Sequence, residues 1–327
     1  MSAAPAEEPE GCADGCNEPG TEKPEGTPVS RHGKLSVVGT ELVDEQGEPV
    51  QLKGVSSMWL NWESREYSTS KEGLTWLRDN WNLSLFRAAM GVEPDGAYLK
   101  APEQTKAKVR SIVENAIELG VYVLIDWHDH HAHEHAEEAK AFFVEMAAEF
   151  GEYPNVIYEP FNEPLQVSWS ADLKPYHESI VEAVRAVDPD NVIVLGTPNW
   201  SQFVDEASRD RLEGENLMYT LHFYACTHTG WLRSKAQTAL AAGLPLFVTE
   251  WGATTADGGI ESAAPCLDEA TQWLDLLNQK KISWAAWKFD GCTDGSCILR
   301  GGANIAGPFG EDALNGHGPF VRDRMLD

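Results

Sequence analysis

Val156-Ile157-Tyr158-Glu159-Pro160-Phe161-Asn162-Glu163-Pro164 is an apolar, β-rich run that ends in a carboxylate just before a proline. On its own such a residue reads as a solvated loop glutamate, since exposed acids are common. The construction recurs at 244–249, where the run ends in Glu250-Trp251-Gly252. Working outward, further apolar runs lie at 52–55, 83–88, 121–126, 192–195, 217–223 and 283–287. Helical patterns with apolar positions three or four apart fall between them, for example over 106–118, 137–150 and 174–187. Eight strands at intervals of roughly 25–40 residues, each preceded by a helix, is the rhythm of a single (β/α)8 TIM barrel. A doubly wound open sheet usually has fewer strands and a Gly-rich phosphate loop, and neither is found.

The flanking sequence completes the organisation. Runs at 34–38 and 41–44, followed by the turn Glu45-Gln46-Gly47-Glu48, predict a short N-terminal β-hairpin capping one end of the domain. Residues 1–28 are rich in Pro, Gly and Glu and almost free of large apolar side chains. They read as a disordered linker or tail, leaving 29–327 to the barrel.

The 327 residues are 42% hydrophobic, enough for a substantial core. Acidic residues outnumber basic ones 52 to 25, a formal charge of −27 that repels nucleic acid and anionic membrane surfaces. Neutral partners are therefore expected, and the excess acid reads as a solubility device. No apolar run reaches the eighteen residues that a membrane span needs. Met1 is followed by small and acidic residues rather than a basic and then apolar stretch, so no leader is read here.

Six cysteines are present. Cys12–Cys16 and Cys292–Cys297 are locally spaced pairs in Gly- and Asp-rich loops, which suits disulfides and a secreted, extracellular protein that has lost its leader. A zinc site built from both pairs is the rival, but they stand at opposite ends of the chain. Cys226 and Cys266 follow the sixth and seventh strands, so a further disulfide is expected between those loops.

Active sites of such barrels lie at the C-terminal ends of the strands. Polar residues closing those strands are therefore candidates: Arg87, Asp126, His128, Asn162, Glu163, His222, Tyr224, Glu250 and Trp287. Glu163 and Glu250, on the fourth and seventh strands, would face each other over the mouth at roughly 5 Å, the spacing of retaining glycosidases. One carboxylate must be ionised to attack the anomeric carbon while the other holds a proton for the leaving oxygen, and proximity drives their pKa values apart. Arg87 could keep Glu250 ionised, or serve as a structural ion pair. Asn162 could donate to a sugar hydroxyl.

The segments Phe86-Arg87-Ala88-Ala89, Asp126-Trp127-His128, Asn162-Glu163-Pro164, His222-Phe223-Tyr224-Ala225 and Thr249-Glu250-Trp251-Gly252 resemble glycoside hydrolase family 5. Among its members the bacterial endo-β-1,4-glucanases are the nearest in pattern. The likeness runs from about Leu35 to the C-terminus and includes Gln51-Leu52-Lys53-Gly54 and Thr197-Pro198-Asn199-Trp200-Ser201-Gln202. It implies Glu163 as acid/base and Glu250 as nucleophile, supported by Arg87, His128, Asn162, His222 and Tyr224. Aromatic platforms for sugar faces are implied at Trp62, Trp200 and Trp287. The expected partner is a β-glucan polysaccharide, cleaved by a monomer without cofactor; hydrolysis of another β-1,4 polysaccharide (mannan, xyloglucan or mixed-linkage glucan) and a catalytically silent carbohydrate-binding barrel are the contrasting expectations. Two departures from the family pattern are Met58 after Ser56-Ser57, and Lys288-Phe289-Asp290-Gly291-Cys292 after Trp287. The stretch His128-Asp129-His130-His131-Ala132-His133-Glu134-His135 lacks a fixed metal-binding spacing and reads as an active-site loop, so no metal is expected.

Overall fold

The computed structural model describes residues 25–256 and 264–327. Cys12, Cys16 and most of the expected tail therefore lie outside the described residues. Eight parallel strands close into a barrel: β1 (Lys53–Ser57), β2 (Leu85–Gly91), β3 (Tyr122–His128), β4 (Val156–Glu159), β5 (Ile193–Leu195), β6 (Leu217–Tyr224), β7 (Leu246–Gly252) and β8 (Trp284–Phe289). Each strand pairs with its neighbours in sequence, and β8 closes the ring on β1. The expected fold is the observed one.

Local chemistry sets the helix ends. Ser70 accepts a hydrogen bond from the Gly73 amide to cap Lys71–Trp81, and Asn82, left-handed at φ 56°, ends that helix. Pro102 opens Pro102–Leu119 and Gly120 closes it at φ 66°, where a side chain would be strained. Val109, Ile112, Val113 and Ala116 form its buried stripe. The helices Ala136–Phe150 and Lys174–Arg185 follow within two residues of the periodicity that announced them.

Alternation along the strands divides the core in two. In β3 the side chains of Val123, Ile125 and Trp127 pack outward with the helices, whereas Tyr122 and Leu124 point into the barrel. Inside, they meet Leu85, Ile157, Val194, Met218 and Phe247 in a dry floor. The hairpin Ser36–Val38 and Glu41–Val43 closes this end, and Val29, Leu35, Leu42 and Val50 plug the floor from below. A short helix, Pro28–His32, precedes the hairpin; the sequence reading did not anticipate it. The Tyr122 hydroxyl donates to the Gly33 carbonyl at 2.6 Å and ties this plug to the barrel. With the bottom filled and dry, polar inward positions are confined to the top.

Two disulfides hold the upper loops. Cys226–Cys266 joins the loops after β6 and β7, and Cys292–Cys297 pins the loop after β8, both as the cysteine pattern led us to expect. No described helix is long and apolar enough to cross a membrane.

Candidate active site

Arg87 is the hub. It follows Leu85 by two residues in β2, so it points inward one layer above the floor, and it is fully buried. Nε donates to Glu159 Oε2 at 2.8 Å, Nη1 to Glu250 Oε2 at 3.0 Å, and Nη2 to Asn162 Oδ1 at 2.6 Å. Asp126 Oδ2 lies 2.9 Å from Nη2. Burial disfavours the guanidinium charge, but Asp126, Glu159 and Glu250 outweigh it and raise the pKa, so Arg87 stays a cation.

Glu163 and Glu250 meet across the mouth. One carboxylate oxygen of each, with a nitrogen of His222, forms a cluster whose atoms all lie within 4.8 Å of one another. Strand β4 stops at Glu159 because Pro160 has no amide to extend the ladder. Asn162 and Glu163 are instead anchored to the end of β3: their amides donate to the carbonyls of Trp127 at 3.2 Å and Asp129 at 3.3 Å. The Glu163 side chain retains 15% exposure and Oε1 sits 2.9 Å from His222 Nδ1. Glu250 is more enclosed. Its Oε1 accepts from the Tyr224 hydroxyl at 2.5 Å, opposite the Arg87 contact on Oε2. Burial raises the Glu250 pKa, while His222 and Arg87 pull it back.

A β-bulge aims Glu250. Toward β6, Phe247 pairs with Thr220 but Glu250 with His222; toward β8, Val248 pairs with Trp284 but Trp251 with Ala286. Strand β7 thus carries one extra residue against both neighbours, which breaks the two-residue alternation. As a result Thr249 and Glu250, consecutive in sequence, both face the barrel interior, where each meets groups of the site.

Two histidines take opposite charge states. Burial, reinforced by Arg87, holds the His128 pKa well below its ordinary value. The neutral ring donates from Nδ1 to Asp126 Oδ2 at 2.6 Å, and Nε2 accepts from Asn162 Nδ2 at 3.4 Å. Burial also acts against charge on His222, but Glu250, Glu159 and Glu163 outweigh it and push its pKa up to about 9. As an imidazolium it donates to Glu163 and, through Nε2, to Thr249 Oγ1 at 2.8 Å. The Thr249 hydroxyl passes a bond to Glu159 Oε1 at 2.5 Å.

The three tryptophans occupy different places. Trp287 lies parallel to the His128 ring, with centroids 5.3 Å apart, and forms one wall of the site with Tyr224 and Ala89. Trp62 stands at the rim, 50% exposed, stacked on Trp59 at 4.9 Å. Trp200 lines a pocket of about 330 Å³ beside Glu163, together with Asn199, Gln202 and His228. All eleven residues singled out in the sequence, Asp126 among them, are therefore on the top face, with Trp62 outermost. Lys288 and Asp290, from the departure after Trp287, are engaged by Asp294 and Ser64.

Sequence reasoning passed over Glu159 and Thr249. Glu159 is completely buried and receives Arg87, Thr220 and Thr249. Its signal was present: Ile157 points inward, so Glu159 two residues on is a charge at an inward position of an apolar strand.

Residues 43–292 match the family model for cellulase, glycosyl hydrolase family 5. The chain is 42% identical over 306 residues to an endoglucanase of Clostridium saccharobutylicum, covering 92% of this chain and 67% of that protein. It is 43% identical over 288 residues to endoglucanase A of Evansella cellulosilytica, covering 86% of this chain and 57% of that one. It thus spans about two thirds or less of the length of these relatives. Among solved structures, the catalytic domain of Thermobifida fusca endoglucanase Cel5A superimposes with a TM-score of 0.87 at 31% identity, covering 92% of this chain and all of that domain. A family match over most of the barrel, on a site whose carboxylates meet where the fold puts them, makes this chain a member of the cellulase family, glycosyl hydrolase family 5.

Proposed function

We propose that this chain is a retaining endo-β-1,4-glucanase in which Glu250 is the nucleophile and Glu163 the acid/base. The observation that carries the reading is the approach of one oxygen from each carboxylate to within 4.8 Å, which fits the close pairing of double displacement better than the wider gap that admits a water. The roles follow from surroundings. Glu250 receives one cationic and one hydroxyl donor, both of which favour its ionised form. Glu163 keeps some exposure and faces the pocket containing Trp200, where a leaving sugar can sit.

Glu250 attacks the anomeric carbon as the glycosidic C–O bond breaks, and the proton of Glu163 passes to the leaving oxygen. The ester formed removes the charge on Glu250, so Glu163, now a carboxylate, takes a proton from water as that water attacks the same carbon and frees Glu250. Asn162, held by Arg87 and His128, is placed to bind a sugar hydroxyl beside Glu250. Trp62, half exposed at the rim, and Trp200, beside the pocket at Glu163, have ring surface that a sugar face can stack on. Trp287 walls the site beside His128 and Tyr224, and together these rings support a polymer bound in mid-chain. A solved relative, the Thermobifida fusca endoglucanase catalytic domain, is described in complex with cellotetraose, which supports a glucan oligosaccharide as the ligand here. Two disulfides favour an exported protein.

Reducing-sugar release from carboxymethyl cellulose, set beside mannan and xylan, tests the substrate. Release from cellulose derivative above the other two is expected; binding with no release from any would favour a silent barrel. Glu163→Gln and Glu250→Gln should each lower turnover by orders of magnitude, and azide should restore part of the rate in Glu163→Ala. Unaltered rates in either glutamine variant would overturn the roles.

A further inference from the structure

Outside the glutamate pair, the loops after β2 and β3 bring two histidines and two carboxylates together. Glu93 Oε2 lies 3.1 Å from His131 Nδ1, and Glu93 Oε1 lies 3.3 Å from His135 Nε2. Asp129 adds a second carboxylate: one donor atom from each of Glu93, Asp129 and His131 lies within 4.8 Å of the other two. Asp129 is only 1% exposed. Its Oδ1 accepts from the His131 amide at 3.0 Å, but Oδ2 is buried with no hydrogen-bonding partner among the described residues. A buried carboxylate oxygen without a donor is costly, and such atoms call for an explanation.

Imidazole nitrogens and carboxylate oxygens are a donor set suited to zinc and neighbouring divalent transition metals, whose ligand distances are ~2 Å. Glu93, Asp129 and His131 already stand close together, and His135 reaches the same Glu93 carboxylate from its other oxygen. The other two candidate clusters among the described residues are less apt. Cys292 and Cys297 are spent in a disulfide, and Glu163, His222 and Glu250 are engaged with one another and with Arg87, Thr249 and Tyr224. The sequence pattern hid the set, because Glu93 comes from a different loop than the histidines.

We infer that Glu93, Asp129, His131 and His135 form a binding site for one divalent transition-metal ion, which clamps the β2 and β3 loops together. The clamp adjoins the acid/base. His130, between two of the ligands, has Nδ1 3.0 Å from the Glu163 carbonyl, and the Asp129 carbonyl accepts from the Glu163 amide at 3.3 Å. An ion here stiffens the segment on which Glu163 is hung, without entering the chemistry.

The test is calorimetric titration of the chelator-treated protein with zinc chloride, alongside thermal melting with and without zinc. The wild type should bind one equivalent and melt higher with the ion. The double variant Glu93→Gln/His131→Gln, altering side chains that are 43% and 39% exposed and so sparing the core, should weaken binding by more than the roughly 10–100-fold that loss of an outer partner costs. It should also abolish the zinc-dependent rise in melting temperature. Absence of binding in the wild type overturns the inference. So does unchanged affinity in the double variant, which would move the ion to the Glu163, His222 and Glu250 cluster.

Discussion

Removing one oxygen from the site gives the most direct reading of how Glu250 is kept ionised. Tyr224→Phe deletes the hydroxyl that donates to Glu250 Oε1 at 2.5 Å while leaving the ring, the Arg87 contact on Oε2 and the packing in place. A hydrogen bond to a charged group contributes about 1.5–3 kcal/mol, and one pKa unit corresponds to about 1.4 kcal/mol. Most of that stabilisation is specific to the carboxylate, so its loss raises the Glu250 pKa by about 1–2 units. Burial already lifts this pKa, and the Tyr224 donor is among the groups that oppose the rise. The acidic limb of kcat/KM should therefore move up by that amount, since the nucleophile must be ionised in the free enzyme. Below both limbs the variant should be about 10–100-fold slower, and the deficit should shrink toward the plateau. The alkaline limb should stay, because the acid/base is bonded to His222 and not to Tyr224. A pH series of initial rates on a soluble cellulose derivative reads both limbs. An acidic limb that does not move, or a uniform loss at every pH, would refute the proposed role of the hydroxyl.

Arg87→Met should be severely destabilising, by about 3–5 kcal/mol in denaturant unfolding, because it leaves Asp126, Glu159 and Glu250 without their common cation in a buried site. His222 should titrate near 9 by NMR, and Glu250→Gln should lower that value, since the Glu250 charge is the foremost group raising it. The folded pKa of His222 exceeds its ordinary 6.5, so its stabilising contribution is complete below that value and disappears as pH climbs through about 9. Replacing Cys226 and Cys266 together by Ser opens a loop of sequence separation 40, which the chain-entropy relation puts at about 4 kcal/mol, measurable as a lower melting temperature. Trp62→Ala, at a side chain half exposed on the rim, should leave stability within about 0.5 kcal/mol of the wild type but raise KM for long glucan chains.

Much of this molecule is legible from sequence because the (β/α)8 rhythm is local. Strand and helix periods, caps such as Ser70 and breaks such as Gly120 are encoded within a few residues, and ring closure then dictates that strand ends share one face. Once the ring closes, the Asn-Glu-Pro and Glu-Trp-Gly segments share the top face, which is why two separated stretches of sequence point to one site. Other features depend on contacts between distant segments and stayed hidden. The bulge in β7 is a matter of register against β6 and β8, and an alternating pattern alone does not say that Thr249 and Glu250 both turn inward. The charges of His128 and His222 have the same origin. Both are buried imidazoles, but one lies against Arg87 and the other among three carboxylates, so the fold sets one neutral and the other cationic. A charge inside an apolar strand marks Glu159 in the sequence, but its partners Arg87, Thr220 and Thr249 come from three other strands and are set by the fold. Periodicity is a property of neighbours along the chain; register, electrostatic field and hydrogen-bond partners belong to neighbours in space.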